Sequence, residues 1–234
     1  MSIFSQLAGL ISETASTLGN AFDSVVDRLR SLGGSETERR QFAFTAAMIA
    51  LAAKMAKADG VVTGDEITAF RDLVEFPPHE AKNVARLYDL ARQDVAGYQA
   101  YADKIARLFP DDTLFLEDVV DGLFHIAKAD GVLHENEETF LRDVAQRFGF
   151  GEADYLRIRA RHVRGGGGDP YAVLGADPSM SFAEIRRLYL KIVAETHPDR
   201  LTARGVPPEF IKIASERLAA VNAAFDMIEK AHRL

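Results

Sequence analysis

Apolar residues along this chain recur every three or four positions, which is the spacing of one face of an α-helix. A clear example lies between residues 42 and 55, where the apolar positions include Phe42, Met48, Ile49, Leu51, Ala52 and Met55. No segment shows the apolar–polar alternation that is typical of a half-buried strand. The pattern therefore predicts an all-α protein.

Two segments of this pattern repeat each other, residues 56–66 and residues 127–137. In each segment an Asp-Gly pair ends one helix, because glycine accepts the left-handed backbone that a helix end often needs. An acidic residue then begins the next helix, as in a capping box. The corresponding acidic residues are Asp59 with Asp130 and Glu66 with Glu137. The duplication predicts two helix–turn–helix corners in one pseudo-symmetric bundle.

Glycine residues divide the chain into units. Residues 1–34 form a leader that ends at a glycine pair, and residues 35–163 form a helix-rich block. Residues 164–168 are one arginine and four glycines, a run that can neither hold a helix nor pack a core. We therefore expect a flexible linker, which would let the last unit, residues 169–234, reach a partner while the rest stays bound elsewhere.

The leader has an amphipathic pattern close to a seven-residue repeat. Its apolar positions include Phe4, Leu7, Ile11, Leu18, Phe22, Val25, Leu29 and Leu32. One interpretation is a helix that docks on the rest of the chain, and the other is a helix that lies on a membrane surface or self-associates. A membrane-surface helix carries Lys or Arg on its polar face, and residues 1–27 contain neither, which favours docking. Peripheral membrane contact through residues 1–32 and oligomerisation are the alternatives.

Composition and charge exclude several classes of function. The 234 residues carry a net charge of −7, whereas nucleic-acid binders usually have a basic excess. The chain has no cysteine, which excludes disulfides, thiolate catalysis and cysteine-ligated zinc. No uninterrupted apolar run is long enough to span a membrane, and the N-terminus lacks the pattern of a secretory signal. These features predict a protein that binds no nucleic acid and lies in the cytoplasm or at the inner face of the membrane.

The last unit has the pattern of a short helix followed by two long helices. Caps and helix-ending residues separate the three, and proline ends the second because it restricts the residue before it. Two long helices joined by a short loop pack as an antiparallel hairpin. The expected caps and breaks are, in order, Asp169-Pro170, Gly175, the Ser181 and Glu184 capping box, His197-Pro198 and Pro207-Pro208.

The duplicated corners resemble the tellurite-resistance TerB family. Its signature is a repeated lysine-x-Asp-Gly turn with an acidic residue seven positions after the Asp, and the resemblance covers most of residues 37–163. It implies a TerB-like helical bundle. His79, His125 and His134 also lie in this block, but they share no spacing that is typical of metal ligands.

The acidic residues of the two corners are open to two interpretations. Asp59, Glu66, Asp130 and Glu137 would converge if the corners face each other, and such oxygen ligands suit a divalent cation, calcium or magnesium. Alternatively, they cap helices and complement helix dipoles. The second interpretation is favoured because the corners lack the alternating ligands of an EF-hand. A cation at this bundle is the one cofactor that the sequence allows.

A series of short motifs marks the last unit. They are Pro170-Tyr171, Val173-Leu174-Gly175, Glu184-Ile185-Arg186-Arg187, Tyr189, Lys191 and His197-Pro198-Asp199-Arg200. In this order and spacing they resemble the J domain of the DnaJ family. Residues 201–209 are similar to the DjlA subfamily in particular, in which a TerB-like region precedes a C-terminal J domain. The resemblance implies a TerB-like bundle followed by a J-domain helical hairpin.

The same resemblance implies a function exerted on a partner and no catalytic residue in this chain. In J proteins a His-Pro-Asp loop docks on a DnaK-type chaperone and triggers its ATP hydrolysis. That role falls here on His197, Pro198 and Asp199. The basic face of the preceding helix would steer an acidic surface of the partner, and its residues are Arg186, Arg187 and Lys191.

The sequence departs from the family in ways that affect partner choice. Leu190 and Glu195 stand where arginine and lysine are common, which predicts a changed affinity for the chaperone. The glycine/phenylalanine-rich segment and zinc repeats of full DnaJ are absent, so we expect the TerB-like unit to recruit the client or set the location. The N-terminal membrane span for which the DjlA subfamily is known is not evident in residues 1–34. The alternative functions are a metal-binding stress-response adaptor or sensor and a metal-dependent hydrolase.

Overall fold

The structure, a computed structural model, describes most of the two units that the sequence predicts. The described residues are 35–58, 78–82, 85, 97–128, 131–163, 169–203 and 211–233. The leader, the glycine linker and the Pro207-Pro208 start of the last helix lie outside them. The domain boundaries stay predictions.

The described residues are helical and contain no strand, which confirms the all-α prediction. The first unit, here called the bundle, contributes α1 (Glu36–Ala58), a 3₁₀ turn (Pro78–Glu80), α2 (Tyr98–Leu108), α3 (Thr113–Ala127), α4 (Glu135–Arg147) and α5 (Glu152–His162). The second unit, here called the hairpin, contributes α6 (Pro170–Leu174), α7 (Phe182–Thr196), α8 (Pro198–Ala203) and α9 (Ile211–His232).

Helix boundaries in the hairpin follow the predicted caps. Asp169 accepts a hydrogen bond from the Tyr171 N–H at 3.0 Å, and Pro170 is the first residue of α6. Gly175 ends this helix with a φ of 66°, a left-handed conformation that glycine adopts without strain. At α7, Glu184 accepts from the Ser181 N–H at 2.9 Å, which completes the predicted capping box.

The core of the bundle lies between its five helices, α1 to α5. Its largest fully buried side chains are Tyr155, Phe44, Phe115, Phe124, Phe140, Met48, Leu51 and Met55. The helix α3 is central, because it packs against α1, α4 and α5 and has few positions that face solvent. The hairpin has its own core around Ile185, Val221 and Phe225, where the rings of Tyr189 and Phe225 stack at 4.0 Å.

The hairpin packs directly on the bundle. Helix α9 lies against α3 and α5, and Leu201, Ile213 and Ala214 belong to the hydrophobic core of the bundle. Gly122 on α3 permits this approach, since a Cβ there would lie 2.6 Å from the Met48 Cε and 2.9 Å from the Ile213 Cδ1. The described hairpin is therefore docked on the bundle, in contrast to the freely moving unit that a glycine linker suggests. Linker composition determines only how far a unit can reach, whereas docking depends on complementary surfaces.

Candidate functional site

The His-Pro-Asp loop lies where α7 gives way to α8. His197 adopts φ −58° and ψ 134°, an extended conformation that ends α7, and Pro198 begins α8. The side chains of His197 and Asp199 are 55% and 92% exposed. The Asp199 N–H donates a hydrogen bond to the His197 Nδ1 at 3.3 Å, which holds the two residues of the loop together. The loop thus presents one imidazole and one carboxylate to solvent.

The predicted basic face lies beside this loop on α7. Arg186, Arg187 and Lys191 are all exposed. Lys191 is 4.0 Å from the Glu195 carboxylate, one turn closer to the loop, and its side chain is 71% exposed. An exposed pair of this kind contributes little to stability, so the lysine is available to a partner. Leu190, 46% exposed, makes the same surface partly apolar.

The predicted cation site is described at one of its four residues. Glu137 is buried, and its carboxylate accepts a hydrogen bond from the His134 N–H at 2.9 Å at the start of α4. This contact is the capping interaction that the alternative interpretation expects. Asp59, Glu66 and Asp130 lie outside the described residues. Within the described ranges, no group of three or more His, Asp or Glu side chains could hold a metal ion.

Sequence reasoning missed a buried cluster of charged residues between the bundle and the hairpin. Its members, called the ion cluster below, are Glu117, Asp118 and Asp121 of α3, Arg157, Arg161 and His162 of α5, and Arg217 of α9. Three carboxylates thus face three guanidinium groups and one imidazole. A buried charge is tolerated only when it is paired and hydrogen-bonded, so this composition depends on both units being in place.

Glu117 accepts hydrogen bonds from all three arginines of the cluster. It accepts hydrogen bonds from Arg157 at 2.8 and 3.0 Å, from Arg161 at 2.7 Å and from Arg217 at 2.7 Å. Burial by itself raises the pKa of Glu117, but the surrounding guanidinium groups of Arg217, Arg157 and Arg161 outweigh it and lower the pKa to about 2. The carboxylate is therefore ionised at neutral pH although it is buried.

Asp121 lies one turn further along α3 and is fully buried. Its oxygens are 3.2 Å from Arg161, 3.1 Å from Arg217 and 2.7 Å from the His162 Nε2. Burial opposes its ionisation, yet Arg217 and Arg161 hold the pKa of Asp121 well below its usual range. The pKa of His162 is lowered because burial outweighs the attraction of Asp121, and its ring stacks on Phe124 at 5.0 Å. With His162 neutral, the formal charges of the cluster cancel.

A second set of polar contacts crosses the junction next to the ion cluster. Glu216 of α9 lies 2.6 Å from the His125 Nδ1 and 3.1 Å from the Lys128 Nζ, both near the end of α3. Burial lowers the pKa of His125, against the pull of Glu216. Adjacent residues of α9, Glu216 and Arg217, therefore contact opposite charges on the same helix of the bundle.

A signal for the ion cluster does exist in the sequence. Glu117, Asp118 and Asp121 interrupt α3, a helix that is otherwise apolar on nearly every side. Arg217 lies on the apolar stripe of α9, between Ala214 and Val221 at helical spacing. Charges in these positions indicate buried partners, but the sequence does not say which of the many opposite charges they meet.

The chain is similar to known proteins over the bundle and over most of its whole length. The family model described as tellurite resistance protein TerB matches residues 45–160. The co-chaperone protein DjlA of Photobacterium profundum is 30% identical, over 91% of this chain and 89% of that protein. The chain belongs to the DjlA co-chaperone family. The DjlA of Vibrio cholerae is 29% identical over 85% of the chain and 81% of its own length, and that of Escherichia coli is 30% identical over half of each. No solved structure matches the chain.

Membership in the DjlA family confirms the predicted family and the J-domain co-chaperone role. A co-chaperone acts on a partner chaperone, which agrees with the expectation of a function exerted on another protein. No helix among the described residues is both long and apolar enough to cross a membrane.

Proposed function

We propose that this DjlA-family chain stimulates ATP hydrolysis by a DnaK-type chaperone through His197, Pro198 and Asp199. The observation that carries the proposal is the exposure of the loop, with the imidazole and carboxylate at 55% and 92%. Proline fixes φ at the centre of the loop, so both side chains are presented with little conformational entropy to lose on binding.

The basic face of α7 supplies the second part of the proposed contact. Arg186, Arg187 and Lys191 are exposed on the helix that leads into the loop, so a chaperone surface that binds the loop also meets these charges. Positive charge at the rim of an interface speeds association with an acidic partner more than it strengthens the complex. Glu195 and Leu190 reduce this charge, so the chain is suited to a chaperone whose facing surface is partly apolar.

The bundle is proposed to recruit a client or to set the location of the protein. The alternative, a cation-dependent sensor at Asp59, Glu66, Asp130 and Glu137, stays a prediction. What the structure adds is the capping contact of Glu137, which gives its carboxylate a role without a cation.

The experiment that tests the proposal is single-turnover ATP hydrolysis by a DnaK-type chaperone from the same cell, with and without the purified chain. We expect the chain to raise the rate and the variant His197→Gln to lose at least about tenfold of this stimulation, since truncating an interface hot spot costs about 2 kcal/mol or more. Because His197 is exposed, the melting temperature of the variant should equal that of the wild type.

A matched control for this experiment is His232→Gln, the same change at an exposed histidine at the far end of α9. It should keep full stimulation. Equal stimulation by His197→Gln and the wild type would show that the loop is not the activating element.

A further inference from the structure

The helix that carries the His-Pro-Asp loop is itself anchored in the bundle. Leu201 lies three residues after Pro198 on α8, is 1% exposed, and belongs to the bundle core together with Ile213 and Ala214 of α9. The short helix α8 therefore presents Asp199 to solvent and buries Leu201, two residues later, on its opposite face. Any movement of α9 relative to the bundle must disturb the packing directly beneath the loop.

Arg217 holds α9 in place one turn beyond Ile213. Its guanidinium group contacts three carboxylates of α3, at 2.7 Å for Glu117, 3.3 Å for Asp118 and 3.1 Å for Asp121. The side chain is only 7% exposed. If α9 shifted along α3, the guanidinium group would stay buried but lose its carboxylate partners. An unpaired buried charge costs much free energy, so the contact favours one register of α9 on α3.

Glu216 fixes the same helix at a second point. It meets His125 and Lys128 near the C-terminal end of α3, whereas Arg217 meets Glu117, about two to three turns earlier. Two contacts at different heights of one helix restrict both sliding and rotation. The hydrophobic contact of Ile213 with Gly122 and Met48 restricts the remaining tilt.

We propose that Arg217 is a positioning residue for chaperone activation, which holds the hairpin on the bundle and thereby keeps the His197-Pro198-Asp199 loop in its binding conformation. This inference rests on the proposed ATPase stimulation. It assigns the active form to the docked hairpin, in contrast to a J domain that must leave the bundle to act. The ion cluster then increases affinity for the chaperone by reducing the conformational entropy lost when the loop binds.

The absence of cysteine from the chain allows a direct test. In the double variant His125→Cys and Glu216→Cys, the two thiols replace side chains that are in contact across the junction, and a short bismaleimide can bridge them. We expect the bridged protein to stimulate the DnaK-type chaperone with the same half-maximal concentration and the same maximal rate as the wild type. Loss of stimulation on bridging would overturn the proposal, because the docked form would then be the inactive one.

The second test removes the positioning residue, Arg217. The variant Arg217→Met should raise the concentration needed for half-maximal stimulation about fivefold, as expected for one ordered contact, while the maximal rate stays unchanged. Bridging the two thiols in this background should restore the wild-type concentration. A purely structural role would lower the amount of active protein and the maximal rate, and bridging would not restore the half-maximal concentration.

Arg142→Met is the matched control, since Arg142 pairs with Glu138 and Glu152 within the bundle. It should leave both kinetic values unchanged. If Arg217→Met fails to fold, the bridged double variant with Arg217 intact still tests whether the docked form is the active one, and loss of stimulation there overturns the proposal. Absence of stimulation by the unmodified chain would overturn the proposed function together with this inference, whereas stimulation that is lost only on bridging would overturn the positioning role alone.

Discussion

Two histidine–aspartate pairs in this protein differ in how far they are exposed to solvent. In the loop, the His197 Nδ1 lies 3.5 Å from an Asp199 oxygen, and the two side chains are 55% and 92% exposed. In the ion cluster, the His162 Nε2 lies 2.7 Å from an Asp121 oxygen, and the two side chains are 5% and 0% exposed. The residue types are the same, but water screens the first pair and is excluded from the second.

The difference in solvent access determines what each pair can do. An exposed pair contributes about 1 kcal/mol or less to folding, and its groups stay available to a partner. A buried pair has already given up its hydration, so removing one member leaves the other without compensation. The loop is thus suited to recognition, and the ion cluster is suited to fixing how the two units are arranged.

The largest expected effect comes from making the same substitution in both pairs. Asp121→Asn removes a buried charge that Arg161, Arg217 and His162 contact, and we expect it to lower the free energy of unfolding by about 3 to 5 kcal/mol. Asp199→Asn should leave the free energy of unfolding unchanged and abolish chaperone stimulation. Urea unfolding followed by circular dichroism, together with the ATPase assay, measures the two effects.

This pair of variants also tests the division between stability and recognition. If Asp121→Asn unfolds at the same urea concentration as the wild type, then the ion cluster does not hold the units together. If Asp199→Asn is as unstable as Asp121→Asn, then the loop is part of the folded architecture and the comparison fails.

A smaller effect is expected from the glycine that lets the units approach. Gly122→Ala places a Cβ 2.6 Å from the Met48 Cε and 2.9 Å from the Ile213 Cδ1, so the ends of both side chains must move within the packed junction. Overpacking of this kind costs about 1 to 3 kcal/mol. Gly151→Ala is the control, because the nearest atom to a Cβ there would be a carboxylate oxygen of Asp154 at 3.8 Å and the position has a negative φ. Equal melting temperatures for the two variants would contradict the close packing of α3 against α9.

The smallest effect is a pH dependence that originates at the junction. Burial lowers the pKa of His162 and His125 below the ordinary value of 6.5, so as the pH falls through that value the unfolded chain takes up protons that the folded chain does not. Stability is therefore present above this pH and decreases below it, by at most about 1.4 kcal/mol per pH unit for each histidine.

Glu117 does not contribute in this window, because the surrounding guanidinium groups lower its pKa from 4.5 to about 2, and both values lie below the window. Urea unfolding at about pH 7.5 and about pH 5.5 isolates the histidines. The variant His162→Gln should show a shallower decrease between these two values. An unchanged decrease would mean that His162 is not responsible for it.

The helix boundaries of the hairpin could be predicted from the sequence because they depend on local chemistry. The cap at Asp169, the end of α6 at Gly175, the Ser181 and Glu184 capping box, and the break at His197-Pro198 all lie where the sequence predicts them. A cap is formed within three or four residues of the chain, so its signal needs no knowledge of distant contacts.

The ion cluster could not be predicted in the same way. Arg217 and Glu117 are 100 residues apart in the chain and meet only because α9 docks on α3. The glycine linker suggested separate units, and nothing in its composition distinguishes a docked hairpin from a free one. The role of Glu137 was open to a cation or a cap; its carboxylate accepts a hydrogen bond from the His134 N–H at the start of α4, and the cation stays a prediction.

The sequence by itself therefore determined the all-α class, the two-part organisation and the His-Pro-Asp loop, because helical periodicity, capping and a contiguous tripeptide are short-range features. Only the tertiary structure decided that the hairpin rests on the bundle and that Arg217 lies among the carboxylates of α3. The physical reason is that a buried charge selects its partners by geometry, and that geometry exists only after distant helices have packed.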